Sequence, residues 1–201
     1  MKKMCPRITF AGTLVNLLCV IALMGAAIMF EPLISQHSAM ADTAVEIDRD
    51  VDAALAKLYA GSPAAKELSK VAKAILVFPN VVKGGLMVGG QYGVGALREG
   101  AKTYGYYNTV AASYGLQAGA QSFAYALFFM TDSALDHLKR SKGWEIGVGP
   151  SIVVVDEGLA RSLTNTTAKD DIYAFFFGQK GLMAGLGLQG SKISRITPDK
   201  E

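Results

Sequence analysis

The sequence predicts an α+β domain in which N-terminal helices pack on a strongly curved, mainly antiparallel, Gly-rich sheet, barrel-like or closed as a sandwich. Three observations lead there. Apolar residues recur at helical spacing from Ile47 through Val51, Ala54, Leu55 and Leu58. From Ala74 onward the period changes to short apolar runs and two-residue alternation. Many of the 22 glycines fall inside these strand-like stretches, where they mark bulges and tight bends rather than ordinary strand. The chain is 51% hydrophobic and 18% charged, too apolar for a disordered segment.

The chain opens with a leader. Lys2, Lys3 and Arg7 precede an apolar run over residues 10–30, and Ser38-Ala39-Met40-Ala41 supplies a small-x-small cleavage pattern. The expectation is a signal peptide over residues 1–41, or the same segment retained as an anchor in the inner membrane through residues 10–30. Both place the remainder across the membrane, in the periplasm or cell envelope. Leu18 rather than a small residue precedes Cys19, against a lipoprotein signal. Residues 42–201 then form a single domain.

Setting the leader aside changes the chemistry. Lys2, Lys3, Arg7 and Glu31 leave with it, so the exported part carries 17 basic and 16 acidic residues. Such a balance lacks the electrostatic footprint of a nucleic-acid binder. Cys5, Cys19 and His37 also leave, so no disulfide can form and His137 is the last histidine.

Along the exported part, Thr43 and Glu46 have the spacing of a capping box at the start of the first helix. That helix ends at Gly61, and Ser62-Pro63 caps and opens a second, with Leu68, Val71 and Ala72 on its apolar side. Ile75-Leu76-Val77-Phe78 reads as a buried strand stopped by Pro79. Residues 84–97 and 102–117 read as strands joined by a hairpin turn at Glu99-Gly100-Ala101. An apolar run over residues 123–130 leads to Thr131, which caps a short helix carrying Ala134, Leu135 and Leu138. Residues 152–155 and 172–177 read as buried strands, and residues 182–188 and 192–196 as a closing hairpin around Gly190-Ser191.

Chemical motifs are few. Gly93-Val94-Gly95 has Arg98 where a dinucleotide fingerprint needs its third glycine, and residues 95–103 hold one residue too many for a P-loop. Ala111-Ala112-Ser113-Tyr114-Gly115 is similar to a nucleophile elbow, followed by Asp132 and His137 in hydrolase order, but nothing marks an oxyanion hole. One histidine and no thiolate cannot make the usual zinc sets. Asp48, Asp50 and Asp52 lack the Gly and Glu of a calcium loop and read as a solvated helix face. The expectation is therefore no metal, no cofactor and no enzyme: a binding protein.

Two features suggest what it binds. Lys139, Arg140 and Lys142 close the helix over residues 131–141, and Lys180 lies in Gly178-Gln179-Lys180-Gly181. Aromatic runs occur at Phe128-Phe129-Met130 and Phe175-Phe176-Phe177, and three successive strand aromatics cannot share one face. Cations on headgroup phosphates beside apolar side chains suit a phospholipid or membrane surface. Lys139, Arg140, Lys142 and Lys180 are the candidate phosphate contacts, and Phe128, Phe129 and Phe176 the candidate apolar ones. The alternative is an envelope structural protein that forms a homo-oligomer or meets a protein partner through its sheet edges.

The segments VFPNVVKGGLMVGGQYGVGAL (77–97), GYYNTVAASYGLQAGAQ (105–121), FFMTDSALDHLKRSKGWEIGV (128–148) and FGQKGLMAGLGLQGSKISRI (177–196) resemble the SYLF family over about residues 45–197. The resemblance implies a non-enzymatic α+β lipid-binding domain. Eukaryotic relatives include phosphoinositide-binding proteins and actin-binding regulators of endocytosis. Exported bacterial relatives look like envelope lipid-binding proteins, which leaves anionic phospholipid as the ligand implied here.

Overall fold

The computed structural model describes residues 42–164, 166–181 and 190–199. These lie in one compact unit, Ala41–Glu201. The expected leader over residues 1–41 and the expected strand over residues 182–188 lie outside the described residues.

The first helix, α1 (Ala44–Gly61), starts where its cap predicts. Thr43 Oγ1 accepts from the Glu46 N–H at 3.3 Å, and the Thr43 N–H donates to Glu46 Oε2 at 3.0 Å. The Thr43 N–H, and after it the Thr43 hydroxyl donating to Glu46 Oε2 at 3.0 Å, hold the Glu46 carboxyl below its ordinary range. Ser62 Oγ caps α2 (Pro63–Leu68) by accepting from Ala65 N–H at 3.2 Å. This helix ends earlier than its apolar pattern suggests, so Val71 is exposed.

The sheet is built on one long hairpin, β1 (Ala74–Glu99) and β2 (Lys102–Phe129). Pro79 does not stop β1: a register shift between Phe78 and Val81 absorbs the residue that lacks an N–H, and the strand runs on. The turn lies where expected, with Gly100 at φ 62°. Helix α3 (Asp132–Arg140) follows, capped by Thr131 Oγ1 on the Ala134 N–H at 3.3 Å. Short strands β3 (Trp144–Glu145) and β4 (Ile152–Val154), helix α4 (Glu157–Ser162), and strands β5 (Ile172–Gly181) and β6 (Lys192–Ile196) complete the described chain. Helix α4 starts at its cap, where Asp156 Oδ1 accepts from Leu159 N–H at 2.8 Å.

Strand β2 organises the rest. One edge takes β1, and the other takes β6 along residues 106–110 and β5 along residues 121–129. Strand β3 extends β6, and β4 runs parallel to β5; the other pairings between these strands are antiparallel. The sheet curls into a half-barrel. Its tightest point is where β1 returns upon itself. A Cβ on Gly93 would lie 2.7 Å from Val81 Cγ2 and 3.0 Å from Asn80 O, and one on Gly95 would lie 2.8 Å from the Val77 carbonyl carbon. The Gly-rich pattern thus has a steric meaning: at these two positions a side chain would occupy backbone.

The curl separates two cores. Leu76, Phe78, Leu97, Tyr107, Tyr125, Leu127 and Phe129 pack with Leu135 and Leu138 of α3 and with Trp144. On the other side, Val77, Phe128, Tyr173 and Phe175 pack under Ile47, Val51, Ala54 and Leu58 of α1 and Leu68 of α2. Alternation along β5 places Phe175 and Phe177 with the second core and Phe176 against the first, as three consecutive strand aromatics require.

Candidate functional site

The acidic face of α1 is exposed at Asp50 and Asp52, as the sequence suggests, but it also holds a basic partner. Asp48 and Asp52, one helical turn apart, grip Arg98 at the end of β1. Arg98 Nη2 donates to Asp52 Oδ1 at 2.7 Å and to the Asp48 carbonyl at 3.1 Å. Thr103 Oγ1 accepts from Arg98 Nη1 at 2.5 Å and donates to Asp48 Oδ1 at 2.8 Å; the Tyr106 hydroxyl donates to Asp48 Oδ2 at 3.0 Å. Burial, then the Asp48 hydrogen bond, pushes the Tyr106 phenol above its ordinary value. This clamp fastens α1 across the hairpin.

The position of α1 in turn creates a trough between its second half and β5. One cavity of about 300 Å³ is lined by Lys57, Leu58, Gly61, Val155 and Phe175–Phe177 among others. A second of about 180 Å³ is lined by Ala54, Lys57, Ser122, Phe123, Phe177 and Lys180 among others. They share Lys57 and Phe177, so they form one continuous depression. Its floor is aromatic and its rim carries two exposed cations, Lys57 and Lys180. Gly178, at φ 64°, makes room at the junction: the Lys57 ammonium lies 3.2 Å from where a Cβ would stand. Asp156, the one carboxylate among the described lining residues, is turned to the cap of α4.

The residues expected to bind are not gathered in one place. Lys180 and Phe176 line the trough. Phe128 and Phe129 are fully buried in the second and first cores, where Phe128 meets Phe175 at 5.0 Å and Phe129 meets Trp144 at 6.1 Å. Lys139 pairs with Glu99 at 2.5 Å and lies 4.0 Å over the Tyr104 ring, tying α3 to the hairpin end. Arg140 is exposed and pairs with Asp136 at 3.3 Å on its own helix; it lines a shallow depression with Ser133, His137 and Ser141. Lys142 is exposed. None of these three cations lines the trough.

Lys57 is the trough residue that the sequence pattern does not single out. Its signal was present: it sits three residues after Ala54 and one before Leu58, at the edge of the buried stripe.

The hydrolase constellation finds no support in the backbone. Ser113 stands within β2 opposite Gly89, not on a strand-to-helix turn. Asp132 pairs with Lys73 at 3.1 Å, and His137 lies edge-on to Trp144 at 6.0 Å. Among the described residues no group of His, Cys, Asp and Glu could hold a metal ion.

Comparison with known families gives one match. Residues 110–199 match the Ysc84 family, described as Las17-binding protein actin regulator. This is the SYLF family that the sequence resembles, one of lipid-binding and actin-regulator-type domains. The Ysc84 match includes β5, one wall of the trough, while α1, the other wall, precedes it. No curated protein matches the chain. No described helix is long and apolar enough to cross a membrane.

Proposed function

We propose that this chain is a non-enzymatic, exported lipid-binding protein of the cell envelope, and that it takes an anionic phospholipid in the trough between α1 and β5. The observation that carries the reading is the pairing of an aromatic floor, Phe175 and Phe177, with two exposed lysines at its edges, Lys57 of α1 and Lys180 of β5. An acyl chain lying along the phenylalanines removes apolar surface from water, and the phosphate sits between the ammonium groups. The family match supports the ligand class, and the two joined cavities support the place. The leader, with its basic start and Ala-Met-Ala site, supports export. The lack of thiols and the single histidine in residues 42–201 support binding without turnover.

Vesicle co-sedimentation tests this. The purified protein should pellet with phosphatidylglycerol-containing vesicles at low salt, pellet less at high salt, and pellet little with phosphatidylcholine alone. A juxtamembrane lysine contributes about 1 kcal/mol, so Lys57→Ala and Lys180→Ala should each weaken binding about fivefold. Equal, negligible pelleting under all conditions contradicts the reading. A stable oligomer indifferent to both substitutions would favour the structural alternative.

A further inference from the structure

The two halves of the trough differ in chemistry. Leu58, Val155, Ala160, Phe175 and Phe177 give the larger half an apolar lining. Two polar side chains also border it, and both are engaged as helix caps. Ser62 Oγ accepts from the Ala65 N–H at 3.2 Å, and Asp156 Oδ1 from the Leu159 N–H at 2.8 Å. The smaller half is the polar one. Asn80 and Ser122 line it beside Lys57 and Lys180, and no carboxylate stands among its described lining residues. Lys57 and Phe177 line both halves, so a cation lies where the apolar half opens into the polar one.

This polarity suits an elongated amphiphile, its tail in the larger half and an anionic head in the smaller. Size narrows the class further. A cavity of about 150 Å³ holds the six carbons of benzene. At that density the larger half, about 300 Å³, holds roughly twelve carbons. One acyl chain fills it, and a second finds no room beside the first.

We propose that the trough is a site for a lysophospholipid, with its single acyl chain in the larger half and its phosphate between Lys57 and Lys180 in the smaller. The inference rests on the lipid reading of the trough and sharpens it. The hydroxyl that stands in place of the missing chain has the Asn80 amide and the Ser122 hydroxyl as partners in the same half. A diacyl phospholipid enters with one chain and leaves the other in the bilayer, so it stays with the membrane. A lysophospholipid leaves the membrane with the protein as a soluble complex.

Native mass spectrometry and calorimetry of the full chain test this. The probes are lysophosphatidylglycerols with octanoyl, decanoyl, lauroyl, myristoyl and palmitoyl chains, each below its micellar concentration. A soluble one-to-one complex is expected, its affinity rising about fourfold per added methylene up to the lauroyl chain and levelling off beyond it. Lys180→Ala should weaken every member of the series about fivefold. Gly61 borders the larger half, and a Cβ there meets open space. Gly61→Phe should therefore bring the levelling-off to a shorter chain. Laurate, with the same tail and no phosphate, should bind more weakly than the lauroyl lysophospholipid; equal affinity would give the site to fatty acids and overturn the proposal. Affinity still climbing fourfold per methylene through palmitoyl overturns it too, as does an equally tight soluble complex with dimyristoyl phosphatidylglycerol. Both results leave the trough as a lipid site. Vesicle binding that depends on Lys57 and Lys180, without any lysophospholipid complex, likewise overturns the single-chain inference alone. Failure of vesicles and lysophospholipids together removes the lipid reading as well.

Discussion

Replacing Gly95 by alanine is the sharpest test of how the sheet curls. The added methyl would overlap the Val77 carbonyl oxygen and lie 2.8 Å from the Val77 carbonyl carbon and 2.9 Å from Phe78 Cδ1. Carbon atoms rest comfortably at about 3.5–4.0 Å, so more than about an ångström of separation is needed. Both neighbours are held: Val77 and Phe78 are fully buried and pair with Ala126 and Tyr125 of β2. Overpacking of this kind costs about 3 kcal/mol, offset by about 0.5–1 kcal/mol because alanine reduces the freedom of the unfolded chain. The net loss of about 2 kcal/mol lowers the melting temperature by about 4–8 °C in a domain of this size. Gly90→Ala is the control, since its methyl would lie 3.9 Å from Ala111 O, an ordinary contact. Circular-dichroism melts and urea titrations of the two variants measure the difference. Equal stability of Gly95→Ala and Gly90→Ala would refute the self-crossing of β1.

Other consequences are as direct. Arg98→Met removes the guanidinium that Asp48, Asp52 and Thr103 share, and should cost about 2–4 kcal/mol in urea unfolding. Asp171 accepts from the Ser151 N–H at 3.1 Å and from Thr131 Oγ1 at 2.9 Å, which hold its carboxyl below the ordinary 3.8. A lowered folded-state pKa stabilises above the unfolded value and is lost as pH falls through the folded one. The stability gap between wild type and Asp171→Asn should therefore be full at neutral pH and close below about pH 4, as read by acid melts. Lys139→Ala severs the Glu99 pair and the Tyr104 contact, so it should lower stability by about 1 kcal/mol without weakening vesicle binding.

Much of the architecture was legible because local chemistry and tertiary packing agree. Thr43 with Glu46, Ser62 with Pro63, and Thr131 place three helix starts correctly. Gly100 places the hairpin turn, and residues 192–196 form the expected last strand. Where sequence reasoning failed, the deciding interaction was distant in the chain. Pro79 breaks an isolated strand pattern, but β2 accommodates it with a register shift. Asp48 and Asp52 read as a solvated face, and their partner Arg98 stands 46 to 50 residues away. The cations near residue 140 formed the most visible cluster, yet the helix spends Lys139 on Glu99 and Arg140 on Asp136. Lys57 stood at the edge of the apolar stripe, but only the approach of β5 gives it Phe177 and Lys180 as neighbours. Gln91 and Gln121 lie in runs of Gly and Ala and announce nothing until the curl buries them.

Where a phospholipid sits on the protein decides its function. Vesicles carrying a photoactivatable, diazirine-labelled phosphatidylglycerol, irradiated with bound protein and mapped by peptide mass spectrometry, address that directly. Label on the peptides spanning residues 54–61 and 175–180 is the predicted result. Label confined to residues 139–142, or no label at all, would contradict it.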